Sequence, residues 1–175
     1  VGLASALNLG LDKCVYDIVA RVDADDFCTF DRFAKQLECF QKRYNLVGSN
    51  IREIDENGII LKQRIVPEGA ETIRAFARRR NPFNHMSVMF NKRHVLAVGG
   101  YPNFYLKEDY ALWVLLLCRT DIRPFNIQDN LMTVSAGNNM YNRRSSLRIL
   151  AEEYKFQLFL KKYLNKKISL IFLDL

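Results

Sequence analysis

The apolar positions of this chain change their period several times, and each change marks an element. Leu3, Leu7 and Leu11 recur at helical spacing with Ala4 and Ala6 beside them, so an opening helix is expected, closing near Gly10. Val15 to Val22 is rich in Val and Ile and reads as a short, mostly buried strand, with Asp23-Ala24-Asp25-Asp26 at its C-terminal end. Thr29 or Asp31 can cap a second helix, along which Phe33, Leu37, Phe40 and Tyr44 keep a helical stripe. Leu46 to Ile54 and Ile59 to Val66 are two strands joined at Asn57-Gly58, a pair that readily takes positive φ, so they form a hairpin. Pro67 and Glu68 open a third helix with Ile73, Phe76 and Ala77 facing inward.

After the polar loop Asn81 to Asn84, Ser87 to Phe90 is a short strand and Val95 to Val98 a short helix, which Gly99-Gly100 breaks. Glu108 to Arg119 is apolar on most sides, the pattern of a buried helix. Ile122 to Val134 is mostly extended. Leu147 to Leu164 is an amphipathic helix with Leu150, Tyr154, Leu158 and Lys161 on one stripe. Strands and helices alternate without repeats or linkers, so the expected fold is a single α/β domain over 1–175, ending in a helical tail at 145–175.

With 175 residues, 49% hydrophobic and 26% charged, the chain has enough apolar material for one core and is too apolar to be disordered. Its longest apolar run, Ala111 to Cys118, is far short of the about 20 residues that span a bilayer. Cys14, Cys28, Cys39 and Cys118 form no Cys-x-x-Cys pair, which argues against a zinc finger and fits reduced thiols in a cytosol. The balance of 26 Lys plus Arg against 19 Asp plus Glu gives +7, which favours anionic partners. The opening residue is Val1, inside a helical pattern, so further residues are expected to precede it in the natural chain.

Two acidic groups carry candidate chemistry. Asp23, Asp25 and Asp26 repel one another at the end of a strand, where α/β proteins place ligands, and a divalent cation would offset that repulsion. The same triplet also reads as an exposed acidic turn in which Asp26 caps the next helix. Glu108-Asp109 starts the apolar helix that carries Trp113; it reads equally as a helix cap or as a general base at the rim of a pocket. His85 precedes a strand, and His94 reads as a surface residue of a short basic helix.

These pieces occur together, in order, in one known family. Gly2-Leu3-Ala4-Ser5-Ala6-Leu7-Asn8, Ile18 to Asp26, Arg32-Phe33-Ala34-Lys35-Gln36, Asn81 to His85, Gly99-Gly100-Tyr101 and Glu108 to Trp113 resemble the family 2 glycosyltransferases of bacterial polysaccharide synthesis. The resemblance implies a GT-A fold, with a mixed central sheet flanked by helices. It implies an enzyme that moves a sugar from a nucleotide-diphosphate sugar, a UDP-sugar in the first instance, to a glycan or lipid-linked acceptor. Transfer would be inverting and dependent on Mn²⁺ or Mg²⁺.

By that resemblance Asp23-Ala24-Asp25 is the family's Asp-x-Asp motif, with Asp23 on the nucleotide and Asp25 on the metal, and Asp26 in support. Asp109 is the base that deprotonates the acceptor, Glu108 positions acceptor or base, and His85 lines the acceptor or metal side. Arg143 and Arg144 contact the diphosphate. The family's first strands, which grip base and ribose, are expected ahead of Val1, so the chain matches the C-terminal two-thirds of a catalytic domain. Met86 stands where many relatives have proline, and the Gln-x-x-Arg-Trp motif of processive synthases is missing. The implied place of action is the cytoplasmic face of a membrane, with no nucleic-acid partner; the apolar run Ile168 to Leu173 reads as a strand, as a contact with a further C-terminal segment, or as a peripheral membrane anchor. Two other readings are a basic non-enzymatic binding module and an inactive fragment.

Overall fold

The computed structural model describes residues 2–135 and 147–164. Its elements in chain order are α1 (Leu3–Lys13), β1 (Ile18–Ala20), β2 (Phe27–Cys28), α2 (Arg32–Gln41), β3 (Leu46–Ile54), β4 (Ile60–Arg64), α3 (Ala70–Phe76), β5 (Met89–Asn91), α4 (Lys92–Ala97), α5 (Glu108–Leu117), β6 (Pro124–Ser135) and α6 (Leu147–Leu164). A single 3₁₀ turn, His85–Ser87, precedes β5.

Among the described residues the strands form one mixed sheet, ordered β1-β5-β3-β6-β2, with β4 also on β3. The centre is β3, buried from Leu46 to Ile51 and again at Glu53. It runs parallel to β6 and antiparallel to β4 and β5. The hairpin forms as expected: the Asp55 carboxylate accepts from the amides of Asn57 (2.9 Å) and Ile59 (2.8 Å), while Gly58 takes φ +79.

The buried helix is α5. Trp113, Leu112, Val114 and Ala111 are each 0% exposed, and Trp113 packs edge-on to Phe83 at 5.5 Å. Its core partners come from α1, α3, α4, β3 and β5. The tail helix α6 closes a second cluster, placing Phe156 and Leu160 against Tyr110, Ala111 and Val114.

Several expectations differ from what is observed. Helix α1 runs through Gly10 to Lys13, since one glycine costs a helix only about 1 kcal/mol. The expected Val15–Val22 strand shrinks to Ile18–Ala20 and is not buried: Val15 and Tyr16 lie 89% and 81% in solvent. Ser87 belongs to the 3₁₀ turn rather than to the strand. On α2 the apolar stripe faces out, with Phe33 and Leu37 exposed, while Arg32, Gln36 and Cys39 are buried. Likewise Leu150, Tyr154 and Leu158 of α6 are exposed, and Phe156 takes the inward place. Periodicity fixes which residues share a face, but not which face turns inward. His94 is half-buried, its Nε2 lying 3.2 Å from the Asn45 amide nitrogen.

Candidate functional site

Strand β1 ends one residue short of Arg21, whose amide still donates to Val88 O at 2.8 Å. The chain then leaves the sheet. The Asp26 amide closes a turn onto Asp23 O at 3.2 Å, leaving Asp25 exposed at its tip. The Arg21 guanidinium pairs with the Asp23 carboxylate and reaches Val22 O. Asp26 is the strained member. Burial first, then repulsion from Asp23 and Asp25, push its carboxyl up to about 6. Its Oδ2 is buried with no hydrogen-bond partner.

The loop is therefore short of positive charge, and carboxylate oxygens are what a hard divalent cation prefers. That donor chemistry fits the metal implied by the sequence. Among the described residues no three His, Cys, Asp or Glu side chains converge closely enough to form a closed metal cage. Any cation here would keep positions free for other oxygens, as metal ions in phosphate-transfer sites do.

The second acidic group is built differently. Glu108 and Asp109 fall in the first turn of α5, where the helix dipole favours negative charge. Asn81 Nδ2 donates to Asp109 Oδ2 at 2.6 Å, which fixes the carboxylate. Glu108 is buried, and that burial, with Asp109 next to it, raises its carboxyl above the ordinary range.

His85 stands between the two groups. It opens the 3₁₀ turn, which Asn84 Nδ2 ties to Ser49 O (2.9 Å) and Ser87 Oγ ties to the Ser49 amide (3.1 Å) on β3. Its Nε2 lies 3.3 Å from the Tyr101 hydroxyl. Burial lowers its proton affinity, opposed by the charges of Asp109 and Asp23. One imidazole thus feels both acidic stations. Tyr101 is held from behind: Asn8 accepts from its amide (2.7 Å) and donates to its carbonyl (3.0 Å). Gly99 and Gly100 make this approach possible at φ +91 and +78, and a Cβ on Gly100 would strike the Asn8 side chain.

Charge interactions link Asp26 with Asp23 and Asp25, Glu108 with Asp109, and His85 with both Asp23 and Asp109. Arg143 and Arg144 lie outside the described residues, as does the run Ile168 to Leu173. Sequence reasoning gave no role to Arg21, Asn81, Tyr101 or Asn8. All four sit inside the quoted motifs, so their spacing was visible; only the fold shows what they touch.

This arrangement defines a class. The fold is GT-A: it matches that of S. aureus TarS residues 1–349 in complex with UDP-GlcNAc, with TM-score 0.59 and 13% identity, over 90% of this chain and 50% of that one. It also matches mannosyltransferase PcManGT from Pyrobaculum calidifontis in complex with GDP-Man and Mn²⁺, with TM-score 0.56 and 15% identity, over 94% and 52%. The model of glycosyl transferase family 2 matches residues 1–150, and the chain belongs to that family. Relatives include the amylovoran biosynthesis glycosyltransferase AmsE of Erwinia amylovora, 38% identical over 93% of this chain and 62% of its own. Another is the Escherichia coli UDP-Gal:alpha-D-GlcNAc-diphosphoundecaprenol beta-1,3-galactosyltransferase, 37% identical over 90% and 58%. The chain thus spans 62% and 58% of the length of these two relatives. Among the described residues no helix is long and apolar enough to cross a membrane.

Proposed function

We propose that this chain carries the metal, acceptor and base stations of an inverting, non-processive glycosyltransferase of bacterial polysaccharide synthesis. The observation that carries the reading is the family match over residues 1–150, within which Asp23-Ala24-Asp25 follows strand β1 and Asp109, held by Asn81, opens α5. The donor is a nucleotide-diphosphate sugar, a UDP-sugar first. The E. coli relative named above, with its UDP-sugar and diphosphate-linked lipid acceptor, supports both choices. On this reading the acceptor is lipid-linked, and the protein works at the cytoplasmic membrane face with peripheral contact. The chain acts as one catalytic unit, with α6 as its tail.

Asp25 and Asp23 would hold Mn²⁺ or Mg²⁺, and Asp26 would support them. When bound, the cation neutralises charge building on the leaving diphosphate. Asp109, oriented by Asn81, takes the proton from the acceptor hydroxyl. The freed oxygen bonds to the anomeric carbon from the opposite side. The bond to the nucleoside diphosphate breaks, and its electron pair leaves on the phosphate oxygen. A single displacement inverts that centre. Buried Glu108 and half-buried His85 shape the acceptor side. Arg143 and Arg144 are assigned to the leaving diphosphate by resemblance alone.

Calorimetric titration of UDP into the protein extended by its native residues upstream of Val1, with and without Mn²⁺, tests the reading alongside Asp25→Asn. Metal-dependent binding by the wild type and its loss in the variant are expected. Binding that ignores Mn²⁺, or survives the substitution unchanged, would overturn the metal assignment.

A further inference from the structure

Helix α2 turns a guanidinium and an amide into the protein while Phe33 and Leu37 stay in solvent. Arg32 and Gln36 are both 0% exposed. Arg32 Nε donates to Gln36 Oε1 at 3.1 Å, and Nη2 donates to Arg21 O at 2.7 Å. Nη1 lies 2.9 Å from Met132 Sδ on β6. Gln36 Nε2 donates to Val47 O on β3 (3.1 Å) and to Ser87 O (2.8 Å).

The two outer carbonyls matter most. Arg21 stands two residues before Asp23, and Ser87 two residues after His85. Both Arg21 backbone groups are engaged, the amide with Val88 and the carbonyl with Arg32. One buried pair therefore reaches the backbone beside each half of the site.

Such a pair is an expensive way to fill a core. A buried cation needs compensation, and among the described residues Arg32 has no carboxylate at ion-pair distance. Burial lowers its proton affinity, and only the nearby Cys28 thiol and the Asp26 charge work against that. Phe33 and Leu37, on the same helix, would fill the space at lower cost, yet they are 46% and 42% exposed. Local rules broken in this way are expected at functional sites.

We propose that Arg32 and Gln36 are positioning residues for sugar transfer: together they lock the strand end that carries Asp23 and Asp25 to the turn that carries His85. The role rests on the donor-site reading above. Arg32 also stands as a fixed positive charge close to the acidic loop, so the loop keeps its shape before any cation arrives.

Arg32→Met, Arg32→Lys and Gln36→Met test this. Arg32→Met removes the desolvation cost of a buried cation, which offsets the cost of leaving two acceptors, Arg21 O and Gln36 Oε1, without their donor. Arg32→Met should therefore melt within a few degrees of wild type. It should nevertheless weaken Mn²⁺-dependent UDP binding about tenfold or more. Backbone hydrogen exchange should quicken across residues 21–26 while α5 stays protected. Arg32→Lys, whose ammonium still reaches Arg21 O, should recover part of the affinity. Gln36→Met keeps the Arg21 tether and cuts the other, so exchange should quicken at 85–88 more than at 21–26.

Wild-type affinity and exchange in Arg32→Met would overturn the proposal. So would parallel loss of melting temperature and affinity in all three variants, which marks a purely structural pair. If the wild type itself shows no metal-dependent UDP binding, the donor reading falls and the reaction role falls with it. The exchange pattern still separates that failure from a missing tether.

Discussion

The two acidic stations share a chemistry and differ in how finished they are. Asp109 sits in a helix turn, dipole-supported and held by Asn81. In the Asp23–Asp26 loop one guanidinium, that of Arg21, pairs directly with Asp23, Arg32 adds a charge without pairing, and a buried Asp26 oxygen has no partner. The Asp109 station is preorganised, which is what the proposed role of proton acceptor requires. The loop is incomplete without positive charge from outside, as suits a station whose partner arrives and leaves with each donor.

The largest effect that sharpens this contrast is Asp109→Asn. It should cut transfer about 10³-fold with UDP affinity unchanged, read by steady-state rates and calorimetry. Rates near wild type would move the base elsewhere. Next is Asn81→Ala. A hydrogen bond to a charged group is worth about 2 kcal/mol, so transfer should fall about 30-fold while the donor KM holds. A rise in donor KM alone would place Asn81 on the wrong side of the site.

The remaining effects are on stability. Asp26 holds its proton up to about pH 6, against an ordinary 3.8. Between those values the folded chain binds more protons than the unfolded one, so stability falls as pH rises from about 4 to about 6 and is level above. Asp26→Asn should remove that slope, and Mn²⁺ should raise the wild-type melting temperature most above pH 6. A wild type without the slope, or a variant that keeps it, contradicts the account. Glu108→Gln should flatten a smaller slope of the same sign, because burial raises Glu108 too. That slope should not respond to Mn²⁺, and a response equal to that of Asp26 would erase the distinction between the stations.

Much of this layout was legible locally. The Asn57-Gly58 hairpin, the largely buried α5 and the glycine break after α4 follow from short-range pattern, because turn chemistry and period act over a few residues. The acidic triplet and the Glu108-Asp109 pair were equally visible. Their meeting around His85 was not, since it depends on β1 pairing with β5 rather than with a sequence neighbour. The inverted burial of α2 was also hidden. A polar face goes inward only when carbonyls from elsewhere await it, here those of Arg21, Val47 and Ser87.

The parallel pairing of β3 with β6 has a consequence for the birth of the chain. β3 finds β4 and β5 soon after it is made, but its other neighbour begins only at Pro124, and β2 has no other partner in the described sheet than β6. At about 5–20 residues per second, a ribosome needs several seconds to travel from β3 to β6. For that time the nascent sheet presents an open edge, and contacts of such long range are slow to form. Synthesis of this protein should therefore lean on holding chaperones until residue 135 has cleared the exit tunnel.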